Sequence, residues 1–381
     1  MLDRSGIAEK MMYAFQNLFG KVRGGLAVTV TLIGIILAAS TGIVGASVVL
    51  LGLLSLPAML GQGYRRTLAL GTVCGAGTLG ILIPPSIMLV IMADQLSLPV
   101  GDLFLGALLP GILLGLLYIL YILGYALVFP EAAPLAPDRR PFEMGMLWAV
   151  LKTVFPPALL ILCVLGSIFM GMTTPTEASG VGALGASVLA FANRRLNLGV
   201  FHQVLMDTYK TTAYIFMILI GATCFALVLR ALGGDEVIEA VFTHLPFGPY
   251  GVIAVILGIV FLLGFFLDWI EISLIILPLV APVVAGLDLA IEGRGVIDDP
   301  ALVWFCVLVA VSLQTSFLTP PVGFSIFYLK GVTPPEIRLA DMYKGVVPFI
   351  ILQLIGLLVV VLFPDLVVWL PAVAYRLSLI H

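Results

Sequence analysis

The chain has 381 residues, of which 61% are hydrophobic and only 10% charged, with a formal net charge of −3 and a mean hydropathy of +1.21. A soluble domain needs more charge to cover its surface, so composition excludes one, and no nucleic-acid partner is expected. Apolar segments repeatedly reach the ~20 residues needed to cross hydrocarbon, which predicts an all-α polytopic membrane protein in a lipid bilayer.

Taken in chain order, residues 1–23 (MLDRSGIAEKMMYAFQNLFGKVR) are amphipathic and carry Arg4, Lys10, Lys21 and Arg23. They are expected to form an interfacial helix, neither a cleavable leader nor a span. Apolar segments follow at about 24–60, 67–93, 104–129, 147–170, 173–192, 208–232, 250–285, 301–330 and 345–363, with a C-terminal tail at 364–381. Two of them are unusual. Segment 24–60 is too long for one helix and is interrupted at Ser40-Thr41-Gly42, and 250–285 is interrupted from Gly264 to Asp268.

Flanking charge orients these segments. Lys21, Arg23, Arg65 and Arg66 surround the first, so both its ends face the cytoplasm; Asp235, Glu236, Glu239, Asp288 and Glu292 surround the second, so both its ends face out. If each returns to its own side as a re-entrant hairpin, the others alternate, and only Arg230, Arg294 and Arg376 of the 18 Lys and Arg lie outside. Two full spans per segment would give the same sides; the polar breaks at mid-segment favour hairpins.

A repeat then becomes visible. Residues 24–129 hold a hairpin (24–60) and a crossing segment (67–93) containing GTLGILIPPSIM; residues 233–363 hold a hairpin of opposite orientation (250–285) and a crossing segment (301–330) containing QTSFLTPPVGFS. Residues 130–232 supply connecting and scaffold helices. Oppositely oriented copies of one module are the pattern of inverted-repeat secondary transporters.

The di-prolines Pro84-Pro85 and Pro320-Pro321 explain the chemistry such a module needs. A proline pair removes two donors and breaks the helix, and freed carbonyls in lipid need a partner. A hard cation held by oxygen alone is one. Candidate Na⁺ ligands are Ser40, Thr41 and Gly42 opposite Thr78 and Gly80, and Gly264 and Asp268 opposite Ser312, Thr315 and Ser316. Helix ends and hydroxyls at Pro84, Pro85, Ser86, Thr319, Pro320 and Pro321 are candidates for an anionic substrate. The alternative is that each proline pair only kinks its helix.

Other features have plainer readings. Asp268, without a basic neighbour in sequence, is either a functional intramembrane acid or a hairpin-tip cap; Glu271 shares its cavity or faces headgroups. TTPTEAS (173–179) fits a capping box on Thr174, Pro175 and Glu177, preferred over a substrate role. His202, His244 and His381 have no metal spacing. Cys74, Cys163, Cys224 and Cys306 form no CxxC pair and read as small packing residues. Arg230 either snorkels or attracts anions to an outer vestibule. No P-loop pattern occurs, so ATP hydrolysis by this chain is not expected. Competing classes are a proton- or other ion-coupled carrier, with Asp268 carrying the proton, a channel, and an intramembrane protease, which lacks a buried histidine or a paired aspartate.

GTLGILIPPSIM, SLPVGDLFLGALLPG (97–111), GMTTPTEASGVGAL (171–184), LGFFLDWIEISLIILPLVAPVV (263–284) and LQTSFLTPPVGFSIFYLKGV (313–332), with RSGIAEKM and KVRGGLA before them, together resemble the large membrane subunit of tripartite ATP-independent periplasmic (TRAP) transporters, the DctM-like family. The resemblance spans the whole chain in order. It implies import of an organic anion, usually a carboxylate such as a dicarboxylate, by Na⁺ symport across the bacterial inner membrane. The implied partners are a periplasmic DctP-like binding protein and a small DctQ-like membrane subunit. It also implies an elevator-type carrier of the ion-transporter-superfamily kind, and no enzyme activity. It puts the first hairpin tip on Ser40, Thr41 and Gly42, which read STG where SGS is common, so one ligand there is a threonine hydroxyl or a carbonyl. It puts the second-half acid on Asp268, and the broken-helix motifs on Thr78–Ser86 and Thr315–Pro321. Family members usually carry further apolar helices ahead of the RSGI-like segment, where this chain begins, so the resemblance leaves a fragment, a mis-called start or a split subunit as the alternatives.

Overall fold

The computed structural model describes residues 1–135, 143–293 and 295–378, without the side chains of 3, 38–41, 235, 243, 377 and 378. No strand occurs among the described residues. Six helices are long and apolar enough to cross a membrane, Val44–Gly61, Val100–Val128, Met144–Phe169, Leu198–Ala231, Pro300–Leu318 and Leu339–Leu362. The protein is therefore an all-α, multi-pass membrane protein.

Helix α1 (Ile7–Phe19) is amphipathic as expected, but its apolar side, with Ile7, Met11, Met12 and Phe15, is buried against protein. It packs on α2 (Gly25–Thr41) and on α7 (Met144–Phe169). Its polar side is tied down by the Arg195–Glu9 ion pair at 3.1 Å and the Arg4–Asp207 pair at 3.7 Å. Both pairs are exposed, so they orient the helix more than they stabilise it.

The first hairpin is α2 and α3 (Val44–Gly61), joined at Gly42. Helix α4 (Arg66–Thr78) tightens through a 3-10 turn, Leu79–Ile81, and then stops; α5 (Ile87–Leu96) and α6 (Val100–Val128) follow. Helices α7, α8 (Pro175–Ala192) and α9 (Leu198–Ala231) form the middle of the chain. Segment 173–192 is helical as expected, yet α8 is not among the six apolar spans, because its polar start and its glycines and serines dilute its hydrophobicity. Helices α7 and α9 leave most of their surface exposed.

After α10 (Gly234–Thr243) comes the second hairpin. One arm is α11 (Pro249–Leu263); the other runs from α12 (Trp269–Glu271) through a π turn, Ile272–Ile276, into α13 (Leu277–Ala285). The second broken segment is α14 (Pro300–Leu318) and α15 (Phe324–Lys330), followed by α16 (Leu339–Leu362). The stretch expected as a tail folds instead as α17 (Asp365–Ser378), with Val367, Val368 and Ala372 buried. The pattern DLVVWLPAVAY supplies that apolar side, and it docks on α6 and α14.

Both broken segments lie at the centre. Every residue of α4 from Leu68 to Thr78 is buried, as is every residue of α14 from Val303 to Leu318. The packing is reciprocal. Helix α4 packs on α16 while α14 packs on α6, and α3 packs on α15 while α13 packs on α5. Each hairpin also rests on the broken segment that follows it.

Lipid tails are as apolar as leucine, so contact between such helices depends on close approach. Along the α4–α16 seam, Gly71 and Gly345 bring the two backbones together, and a Cβ on Gly71 would lie 2.0 Å from the Gly345 carbonyl oxygen. One turn on, Phe349 lies over Gly75, and Tyr118 meets the Phe349 ring edge-on at 5.1 Å. Gly71→Ala should therefore destabilise the protein by about 1–3 kcal/mol through overpacking against atoms that cannot move aside. Thermal unfolding of the purified protein in detergent checks this. Gly124→Ala, which meets nothing within 4 Å, is the control expected to unfold as the wild type does.

Candidate functional site: two hairpin tips facing two broken helices

The first tip is made by the backbone. Helix α2 ends at Thr41, and Gly42 turns the chain with φ at 61°, a left-handed conformation that side chains disfavour. A Cβ there would stand 3.2 Å from the Ile87 amide nitrogen and 3.6 Å from the Pro85 carbonyl oxygen. The first tip therefore sits directly on the first break. Ser40 and Thr41 belong to the end of α2, but their side chains lie outside the described residues.

At the break, Leu82 to Pro85 are non-helical, and Ser86 precedes α5. The Pro84–Pro85 bond is cis. Ser86 is buried, and its hydroxyl donates to the Ile81 carbonyl at 2.6 Å instead of capping α5. The Thr78 hydroxyl donates to the Gly75 carbonyl at 2.9 Å. Gly80 is buried within the 3-10 turn.

The second tip repeats the contact. A Cβ on Gly264 would lie 2.2 Å from Ser316 Oγ, so this tip is seated on the end of α14. Asp268 is the N-cap of α12, its Oδ1 accepting from the Trp269 amide at 2.8 Å. This is the hydrogen bond of a cap, and it leaves the second carboxylate oxygen outside that bond. Beside it, the Tyr214 hydroxyl of α9 donates to Glu271 Oε1 at 3.3 Å.

The hydroxyls around the second break share one habit. Thr315, Ser316 and Thr319 donate to the carbonyls of Val311, Leu313 and Thr315, each at 2.8 Å. Ser312 donates to Leu257 of the hairpin at 3.3 Å, and Ser325 reaches back across the break to Phe317 at 3.0 Å. A hydroxyl that gives its proton backward keeps its lone pairs, so each can still act as an acceptor or a cation ligand. The Pro320–Pro321 bond is also cis, and Gly323 starts α15 with φ at 55°.

Sequence reading missed the centre between the breaks. Thr78 and Gln314 hold the same place relative to their di-prolines, and Gln314 Nε2 donates to Thr78 Oγ1 at 3.4 Å. Gln353 of α16 donates to the same oxygen at 3.3 Å and to the Tyr118 hydroxyl of α6 at 2.7 Å. All four side chains are buried. The available signal was a glutamine inside an apolar run, in AVSLQTS and FIILQLIG.

The remaining features lie elsewhere. Thr174, Pro175 and Glu177 form the expected capping box, with the Thr174 amide donating to Glu177 Oε2 at 2.8 Å and the Glu177 amide donating to Thr174 Oγ1 at 3.3 Å. Cys74 and Cys306 are buried, whereas Cys163 and Cys224 are exposed. His202 is exposed, the His244 ring lies 2.6 Å from the Ala240 carbonyl, and His381 and Arg294 lie outside the described residues. No cluster of His, Cys, Asp and Glu suited to a metal occurs among the described residues.

Comparison with known proteins decides the family. The family model described as "Tripartite ATP-independent periplasmic transporter, DctM component" matches residues 1–366.

The chain belongs to the DctM family of TRAP transporters.

Its relatives include the C4-dicarboxylate TRAP transporter large permease protein DctM of Pseudomonas aeruginosa, 31% identical, with 97% of this chain and 83% of that one covered. The ectoine TRAP transporter large permease protein TeaC of Halomonas elongata is 27% identical, with 99% of this chain and 84% of that protein covered. The isethionate TRAP transporter permease protein DctMQ of Oleidesulfovibrio alaskensis is also 27% identical; 95% of this chain spans 55% of that protein. The protein is thus a TRAP large permease subunit, a transport protein and not an enzyme.

The Asp268 cap gives a direct test. Asp268→Ala should cost about 1 kcal/mol of stability, while Asp268→Asn, which keeps the accepting oxygen, should cost a few tenths at most. Denaturation of the two variants checks this, and equal losses would show that the cap is not what the side chain contributes.

Proposed function

We propose that this DctM-family subunit imports an organic anion with Na⁺ by an elevator motion. The observation that carries the reading is the paired contact of tip on break, Gly42 on Pro85–Ile87 and Gly264 on Ser316. Each junction gathers main-chain oxygens and, in the second, three hydroxyls with free lone pairs. Such a set suits a hard monovalent cation. The reciprocal packing of the two halves supports an inverted repeat, residues 24–129 with 233–363, in which alternating access moves the two junctions together past a scaffold.

Na⁺ at each junction places positive charge beside the breaks. The substrate carboxylate is then held by these ions, by the N-terminal end of α5, and by the Ser86 and Thr319 hydroxyls at the prolines Pro84, Pro85, Pro320 and Pro321. The relatives named for C4-dicarboxylate, isethionate and ectoine carry different substrates. A carboxylate is the class best matched to these groups, and a C4-dicarboxylate is the first to try.

TRAP large permeases work with a small membrane subunit and a periplasmic binding protein. The exposed flanks of α7 and α9 are the surfaces available to a small subunit. The setting that follows from the family is the bacterial inner membrane.

Uptake of labelled C4-dicarboxylate by cells expressing the subunit with both partners tests the coupling. Replacing Na⁺ by choline at constant pH should lower uptake about tenfold or more. Uptake that persists without Na⁺ but collapses with the proton gradient would overturn Na⁺ coupling and favour the proton-coupled alternative.

A further inference from the structure

The hydrogen bonds of the amide and hydroxyl cluster at the centre join four helices, α4 and α14, which run into the breaks, and α6 and α16, which follow the broken segments. Thr78 closes α4 just before the first break and Gln314 stands just before the second. Gln353 comes from α16 and Tyr118 from α6, the helices that follow the two broken segments. Thr78 Oγ1 accepts from both glutamines, at 3.4 and 3.3 Å, so one oxygen of the first half is shared by two residues of the second.

Its position follows from the seam beneath it. Gly71, Gly75 and Thr78 of α4 face Gly345, Phe349 and Gln353 of α16 in successive turns. The first step is a backbone contact, the second seats a phenylalanine ring on a glycine, and the third joins polar side chains. At Thr78 the helix has just one more ordered turn before the break. A sideways shift of the first break therefore moves Thr78 against both glutamines, and Gln314 transmits it to the turn holding Thr315 and Ser316.

The cluster is poorly optimised for stability. The amide oxygens Gln314 Oε1 and Gln353 Oε1 are buried with no hydrogen-bond partner among the described residues. A buried unpaired acceptor costs about 1–3 kcal/mol. Replacing both partners of such a hydrogen-bonded pair by apolar groups of the same shape would remove that cost.

We propose that Gln353, with Gln314, Thr78 and Tyr118, is a positioning cluster that couples the two ion junctions, so that an ion bound at one break favours the binding-ready shape of the other. This rests on the Na⁺ reading above. Gln353 acts through the hydrogen bonds that it donates to Thr78 and Tyr118.

The test needs no substrate. Purified protein is unfolded thermally across a Na⁺ series, with choline holding ionic strength constant and Na⁺ itself as the probe. The wild type should be stabilised by Na⁺ with a Hill coefficient of about 2. Gln353→Met and the milder Tyr118→Phe should reduce it towards about 1 and raise the Na⁺ midpoint several-fold. Each also leaves a buried partner unpaired and lowers the unfolding temperature without Na⁺, so the steepness of the Na⁺ response is the readout, and a merely structural role would leave that steepness alone. Wild-type steepness in either folded variant overturns the proposal by itself. A wild type that ignores Na⁺ overturns the coupling-ion reading, and this proposal with it.

Discussion

A peptide group in hydrocarbon must have its hydrogen bonds made, and this constraint governs the molecule. The chain violates helical continuity at four places, the tips at Gly42 and Gly264–Asp268 and the breaks at Leu82–Ser86 and Thr319–Gly323. The first tip and the first break are packed in protein, whereas Phe266 at the second tip and Pro321 and Val322 at the second break keep an exposed side. Each tip is pressed on a break, and the two broken helices, α4 and α14, are the most enclosed in the protein. The irregular backbone is therefore held against the buried ends of α4 and α14, where hydroxyls answer some of the loose carbonyls.

That interior depends on small residues more than on large ones. Gly71 and Gly345 let α4 and α16 touch through their backbones, and Gly34 does the same for α2 against Ala76. Close backbone contact is the means of helix association left once the hydrophobic effect is spent on insertion into the bilayer. Helices α4 and α14 each pack on elements of both halves, α4 on α2, α3 and α16 and α14 on α11, α16 and α6, so the two breaks share one framework with the glutamine and tyrosine cluster at its middle.

Much of this was legible in the sequence. The mid-segment interruptions and flanking charges pointed to the hairpins, and the two di-prolines located the breaks. The capping box at Thr174 followed from spacing alone. What sequence could not show was contact between distant segments. Gln314 and Gln353 are far apart in the chain, and only the crossing of α14 and α16 over α4 brings both to Thr78. Asp268 stood out as an acid in an apolar run, but whether it caps a helix depends on where α12 begins, which its neighbours did not reveal. The helix at 365–378 was overlooked because its apolar stretch is too short to span and only docking on α6 gives it a reason to fold.

The central claim is that both tip-on-break junctions bind the coupling ion and do so as a pair. Hydrogen–deuterium exchange of the purified protein in Na⁺ and in choline measures it most directly. The account predicts that Na⁺ slows exchange together in peptides covering 40–46, 78–88, 264–270 and 312–325, while the exposed helices α7 and α9 exchange alike in both salts. Equal exchange in the two salts at both junctions, or protection confined to regions outside them, would contradict it.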